Sequence, residues 1–436
     1  MRNPFASPLW RNEAFVRVWS AATVSIFGSL LTRIALPLVA ILTLGAGPIE
    51  VAALRAVELV SLAVVGLVAG AWVDRLRRRP VLIWADLGRA VLLGSIPVAF
   101  ALGGLTFWHL LVVAGLAAAL TAFFDAADNA YLPSIVERER LVEANSALAA
   151  SGSVSEFASF GISGFLVTLL SGPITIAIDA VTFVVSAILL LTVKREEAPP
   201  PPREARAPLL HEIRAGLAKV GHDGVLRAFA ITQMLVAATW GIGGAVWFLF
   251  VLEELHIGAE IIGVVAAVGG VSSFIGAVIA HRSTTRFGIG RVAVIAMVMC
   301  AVGNLFVPLA PAAFPLIAVA FLIGQQLVTD SALTVYNITD VSIRQSIVPD
   351  RELGRVGSTF GVLEVVAQLI ATIVAGILAE TIGLRPTAFL SPLLAIAAAV
   401  VLWRSPVRLL RELPTMDTRG AAEVVVDVER DQPVGA

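Results

Sequence analysis

Glu156 stands inside the apolar run SALAASGSVSEFASFGISGFL, ten residues past Ser146. If that run is a helix, the carboxyl lies about 15 Å along it, near the middle of a membrane-spanning segment. An ionisable group there is expensive, so its default reading is a functional one: binding a proton, or the charged part of a solute. Asp330, one turn from Gln326, and Glu58 invite the same chemistry. Glu58 has Arg55 one turn away and Arg33 at a similar height in the preceding run, so an Arg33 or Arg55 pair with Glu58 is expected toward the periplasmic side. Asp86 and Arg89 have the spacing of an intrahelical pair. Asp179 and Glu364 also fall inside runs, with no role assigned. Asp125 and Asp128 are spaced i, i+3 at the end of a run and are echoed by Asn337 and Asp340. Two acid pairs could hold a divalent metal, as in an intramembrane prenyltransferase, but the echo supplies Asn337 in place of one acid. Pairing with Arg138, Arg140, Arg351 or Arg355 in the following loops is the expected role.

The elements that position these groups follow from composition. Of 436 residues 58% are hydrophobic and 14% charged, which cannot cover a water-soluble surface. Twelve apolar runs approach the roughly 20 residues a helix needs to cross hydrocarbon. They fall near 15–44, 51–73, 81–102, 107–125, 147–170, 173–193, 228–252, 261–280, 292–310, 314–336, 357–379 and 387–403. Lipid does not tolerate open sheet edges, so all twelve are expected to be helices. If the loops alternate sides, one side holds 27 of the 31 Lys and Arg and the other holds Arg385 alone. By the positive-inside rule both termini are then cytoplasmic. The first run is too long for a signal peptide and is read as a retained span. A net charge of -1 with arginines in short clusters gives no basic face for nucleic acid. The single cysteine, Cys300, excludes an intramolecular disulfide and a cysteine metal cage, and the five histidines are scattered, so no cofactor or metal is expected.

The chain divides into halves. SIVERERL at 134–141 recurs as SIVPDREL at 346–353, an offset of 212 that also superposes Gly164 on Gly376 and Glu156 on Gln368. The predicted organisation is a six-helix bundle over 1–193, a proline-rich cytoplasmic linker over 194–227 with a short surface helix near 208–220, a second bundle over 228–403, and a disordered cytoplasmic tail over 404–436.

GAWVDRLRRRP at 70–80 resembles the signature loop between the second and third helices of the major facilitator superfamily. LWRNEAFVRVWSAATVSIFG and VLIWADLGRA resemble the subgroup that contains enterobactin exporters and macrolide efflux proteins. The resemblance covers nearly the whole chain. It implies an all-α integral membrane fold of twelve helices in two pseudo-symmetric bundles, around a cavity lined by helices 1, 4, 7 and 10 and completed by 2, 5, 8 and 11. It further implies a cytoplasmic latch of Gly70, Asp74, Arg75, Arg78, Arg79, Asp86, Asp128 and Asp340, in which Asp74 meets Arg78 or Arg79 and the start of helix 11 near Gly357 and Ser358. The expected cavity side chains are Trp240, Gln325, Gln326 and Gln368, with Trp247 and Phe248 facing either the cavity or lipid. Glu156, Asp330 and Glu58 are the candidates for proton coupling. The expected function is efflux of amphipathic small molecules, drug-like or siderophore-like, from a bacterial cytoplasm by a monomer in the inner membrane that exchanges them for protons. Uptake by a symporter or uniporter, and an intramembrane transferase, are the alternatives. Two departures stand out: FGISG at 160–164 has Ile162 where many proton antiporters have proline, and Gly28 is followed by Ser29 where some relatives carry aspartate.

Overall fold

The computed structural model describes residues 7–73, 76–137, 140–194 and 209–413. Every regular element among them is a helix, the arrangement that satisfies backbone groups without water. Six spans precede the linker: α1 (Glu13–Leu38), α2 (Pro48–Val73), α3 (Arg78–Ala101), α4 (Phe107–Ile135), α5 (Leu141–Leu170) and α6 (Gly172–Leu191). The linker carries α7 (Leu209–His222). Then follow α8 (Gly224–Leu249), α9 (Ala259–Phe287), α10 (Ile289–Leu309), α11 (Pro315–Ile347) and α12 (Asp350–Ile382), and a last span broken into α13 (Leu384–Ala388) and α14 (Leu390–Arg404). Among the described residues, twelve stretches are long and apolar enough to cross a membrane.

Polar side chains fix the helix ends. Asn12 Oδ1 accepts from the amides of Ala14 and Phe15 at 3.1 and 3.3 Å, and Asp223 Oδ1 from those of Val225 and Leu226 at 2.9 and 3.1 Å. At the other end of α6, Arg79 donates to the carbonyls of Leu190 and Leu191 at 2.9 and 2.6 Å, and Arg17 donates to that of Thr192. Cations are favoured where carbonyls are left over.

The sequence repeat is also a structural one. α1 and α8 each run into a π-helical turn, Val39–Thr43 and Phe250–Glu254. The chain leaves both turns by the same long hydrogen bond, Ala46 N to Ala40 O at 2.9 Å and Ile257 N to Val251 O at 3.0 Å. Each exit needs one residue in the left-handed region. The first half supplies Gly45 (φ 68°) and the second His256 (φ 54°).

Among the described residues, the two sets of six helices approach each other most closely toward the side away from the linker. There Gly376 of α12 lies against Ala52 and 3.2 Å from the Pro48 carbonyl at the start of α2, measured from where a Cβ would be. The pseudo-equivalent Gly164 of α5 meets the Ala259 carbonyl and the Gly263 amide at the start of α9. Thr168 donates to Glu260 at 3.2 Å across the same seam. Toward the linker side the helices diverge: Gly66, Gly152, Gly354, Gly357 and Gly361 face open space. The molecule is therefore closed on one side and open on the side of the linker.

The linker helix packs one face on the second bundle: Gly216 backs onto Thr359 of α12, Val220 is buried, and Lys219 pairs with Glu352. One boundary changes: the tail is not disordered from residue 404 onward. Residues 406–411 fold back, burying Val407 and placing the Leu410 and Arg411 carbonyls on the amides of Gly290 and Ile289 at 2.9 and 3.3 Å. The reason is that the first amides of α10 have no partner within their own helix.

Candidate functional site

Divergence of the two bundles leaves a cavity of ≈ 490 Å³ between them. The first bundle contributes Arg33 from α1, Arg55 and Glu58 from α2, and Glu156 and Phe160 from α5. The second contributes more: Trp240, Trp247 and Phe248 from α8, Gly269 from α9, Asn304 from α10, Gln325, Gln326, Thr329 and Asp330 from α11, and Gln368 from α12. Glu156 and Gln368, matched by the repeat, thus both line the cavity, as do Trp247 and Phe248, edge to face with centroids 5.2 Å apart.

Arg55 Nη1 lies 2.9 Å from Glu58 Oε2. This pair sits in the cavity wall. α2 begins only at Pro48, so Glu58 is ten residues into the helix, about 15 Å. The Arg55 stem also reaches α8, 3.3 Å from where a Cβ on Gly244 would sit. Arg33 lines the same wall without an ion-pair partner among the described residues.

The expected lining by the fourth helix is corrected: no residue of α4 lines the cavity, whereas α10 and α14 do, through Asn304 and Ser391. Spacing explains the asymmetry. At the offset of 212, Gln325, Gln326, Thr329 and Asp330 correspond to Val113, Ala114, Ala117 and Ala118 on α4, all small or apolar. Sequence reasoning missed Asn304 and Thr329. Thr329 could have been found from its position one residue before Asp330 and one turn after Gln325; Asn304 had no signal, because its span was not among those expected to line the cavity.

The expected latch falls partly outside the described residues. Asp74, Arg75 and Arg138 lie outside the described residues, as does the side chain of Arg351, and Gly70 falls in the last part of α2. Gly357 faces open space, and the Ser358 hydroxyl turns back to the Gly354 carbonyl at 2.9 Å. Arg78 starts α3, and Arg79 is engaged with the end of α6. Asp128 is half-buried on α4 with no ion-pair partner among the described residues. Among the described residues, the acids and loop arginines find partners close by in sequence. Asp340 pairs with Arg344 one turn along its own helix at 2.7 Å, with the guanidinium stacked 4.5 Å from the Phe360 centroid, and Arg140 pairs with Glu137 at 3.4 Å.

Two polar groups are held inside the first bundle, away from the cavity. Asp86 and Arg89 pair at 2.5 Å, both buried, with the guanidinium between the rings of Phe124 and Phe183 at 4.4 and 4.1 Å. Asp179, fully buried, accepts from Thr32 and Thr182 at 2.5 and 3.1 Å and fills the space that Gly28 leaves open. No three His, Cys, Asp or Glu side chains among the described residues are placed to hold a metal ion.

The family model described as Major Facilitator Superfamily matches residues 18–329. The chain is similar to the multidrug efflux pump Tap of Mycolicibacterium fortuitum, 29% identical over 339 residues that cover 75% of this chain and 80% of that protein. It is also similar to the uncharacterized MFS-type transporter YfiS of Bacillus subtilis (strain 168), 23% identical over 86% of this chain and 89% of that one. Among solved structures, a bacterial homologue of the iron transporter ferroportin in an inward-facing state superposes with a TM-score of 0.73, at 20% identity over 91% of this chain and 99% of that one. The same homologue in an outward-facing state gives 0.58, at 19% identity over 90% and 98%. The nucleoside transporter NupG gives 0.72, at 14% identity over 90% and 98%. These likenesses establish the fold.

Proposed function

The chain belongs to the Major Facilitator Superfamily, and from that premise we propose that it exports amphipathic small molecules from a bacterial cytoplasm by alternating access, in exchange for protons. It is a multi-pass membrane transporter of small molecules, not an enzyme. The observation that carries the finer reading is the cavity: open on one side, closed on the other by two pseudo-equivalent glycine crossings, and lined by aromatic faces, amides and a few charges. Such a lining suits a bulky, partly apolar solute better than a sugar or an inorganic ion. The similarity to a multidrug efflux pump supports the same class.

Direction rests on charge. The open side carries the linker and the arginine-rich loops, which the positive-inside rule assigns to the cytoplasm. In this state the cavity would load from within, and a later state, closed by Asp74 and the start of α12, would release outward. Glu156 is the proposed coupling group. It lines the cavity with no hydrogen-bond or ion-pair partner among the described residues, so a cationic solute entering beside it would compete with a proton for one site.

The test is transport into everted vesicles and proteoliposomes of a fluorescent amphipathic dye. Uptake into everted vesicles driven by a pH gradient supports export, whereas accumulation in right-side-out vesicles would reverse the direction. Glu156→Gln should abolish uphill movement and leave downhill exchange intact; a mutant that still concentrates dye moves the coupling role to Asp330 or Glu58.

A further inference from the structure

A second groove lies on the outside of the first bundle, toward the linker side. α3 packs on α4 and α6, and none of these three helices lines the transport cavity. α3 and α4 meet at Gly88, where a Cβ would lie 2.6 Å from Leu120 Cδ1. Between that crossing and the loop after α2, Leu76, Val81, Trp84, Ala85, Leu120 and Phe123 line a groove of ≈ 500 Å³. It opens outward: Trp84 is 73% exposed and Leu76 48%. Every side chain that lines it is apolar except that of Arg77.

Arg77 stands at one end of this stripe. It immediately precedes α3, with Val81 and Trp84 four and seven residues on, so the apolar floor runs about 10 Å from the charge toward the membrane interior. The guanidinium is exposed and has no hydrogen-bond or ion-pair partner among the described residues, unlike that of Arg79, which is engaged with the end of α6. Trp72 is exposed at the end of α2, its ring 6.3 Å from that of Phe123. With Trp84 it marks the boundary between headgroups and hydrocarbon, where tryptophan collects. A charge that served only to hold the loop on one side would need no groove beneath it. An apolar furrow facing lipid takes an acyl chain, and a free guanidinium at its mouth takes a phosphate through parallel hydrogen bonds. The loop sequence DRLRRR, four arginines against one aspartate, favours a headgroup with net negative charge over a zwitterionic one.

We infer that this groove is a site for one anionic phospholipid of the leaflet on the linker side, its phosphate on Arg77 and one acyl chain laid along Val81 and Trp84 between α3 and α4. The site is separate from the transport cavity, so its occupancy does not depend on which solute is moved.

The experiment is native mass spectrometry of the full chain released from detergent micelles supplied with dioleoyl phosphatidylglycerol or dioleoyl phosphatidylcholine. The parent should retain one phosphatidylglycerol about fivefold more tightly than phosphatidylcholine. Arg77→Gln should remove that preference and leave phosphatidylcholine binding unchanged. Val81→Trp, which fills the groove, should weaken both lipids, and Leu76→Trp, which fills it from the loop side, should do likewise if the first variant folds poorly. Arg282→Gln removes an exposed cation at the end of α9, in the other bundle, and should change neither. Equal retention of the two lipids by the parent would overturn the site. So would a loss in Arg282→Gln as large as that in Arg77→Gln, or lipid binding indifferent to both groove-filling variants. A dimer of the parent that Val81→Trp dissociates, with lipid retention unchanged, would assign the groove to a second copy of the chain instead.

Discussion

Gly164 of α5 and Gly263 of α9 meet backbone to backbone: a Cβ on either would lie 3.0 Å from the amide nitrogen of the other. No side chain fits between them, so the seam that closes one side of the cavity depends on two missing methyl groups. Close approach of this kind is how helices associate where lipid offers no hydrophobic drive.

Gly164→Leu should therefore destabilise the closed seam by about 1–3 kcal/mol, the range for overpacking a tight contact. Spin labels at Gly104 and Ala313, on the two bundles at that side, should report longer distances in the variant. Unchanged distances would mean that α2 and α12 hold the side shut alone.

Gly45 and His256 occupy the same left-handed position in the two halves. Gly45→Val should cost about 1–2 kcal/mol, because a β-branched residue pays the full left-handed penalty. Gly45→His, the residue that serves in the repeat, should cost less. Thermal unfolding in detergent, followed by tryptophan fluorescence, ranks the two; equal losses would show that the position tolerates neither.

Breaking the buried Asp86–Arg89 pair from one side should be severe. Asp86→Asn leaves a buried guanidinium between two aromatic rings without its ion-pair partner, at a cost of about 3–5 kcal/mol. The double variant Asp86→Leu with Arg89→Met should recover much of that loss. A double variant no more stable than the single one would instead point to a role for the pair beyond packing.

The fold-back after α14 should be sensitive to one methyl group. Gly290 lies directly under the Val407 carbonyl, so Gly290→Ala should lift residues 406–411 from the start of α10. Faster limited proteolysis near residue 410, with transport retained, is the expected result; an unchanged rate would mean that the fold-back survives without its tight contact.

How much of this was legible beforehand differs from residue to residue. Glu58 and Asp330 could be singled out because a charge in an apolar run is conspicuous whatever surrounds it. Arg55 and not Arg33 pairs with Glu58, the arginine one turn away on the same helix, a choice that the sequence left open because Arg33 was placed at a similar height. Likewise Asp340 had several arginines within reach by sequence, and geometry chose Arg344, the one on its own helix.

By itself the sequence determined what the membrane dictates: twelve helices, their apolar cores though not their polar ends, which run on by up to eleven residues as in α4 and α11, and the two-fold repeat with Gly164 and Gly376 in register. These follow from transfer energies and helical periodicity, which are local and additive along the chain. Tertiary structure decided what depends on distance between remote segments. It placed Gly164 against Gly263, opened the cavity toward the linker, turned α4 away from it, and brought Asn304, Thr329 and Asp330 from two helices to the wall of one cavity. Those outcomes depend on which helix faces meet across the two bundles, and a pattern of apolar residues that is greasy on every side does not say which face will be turned inward.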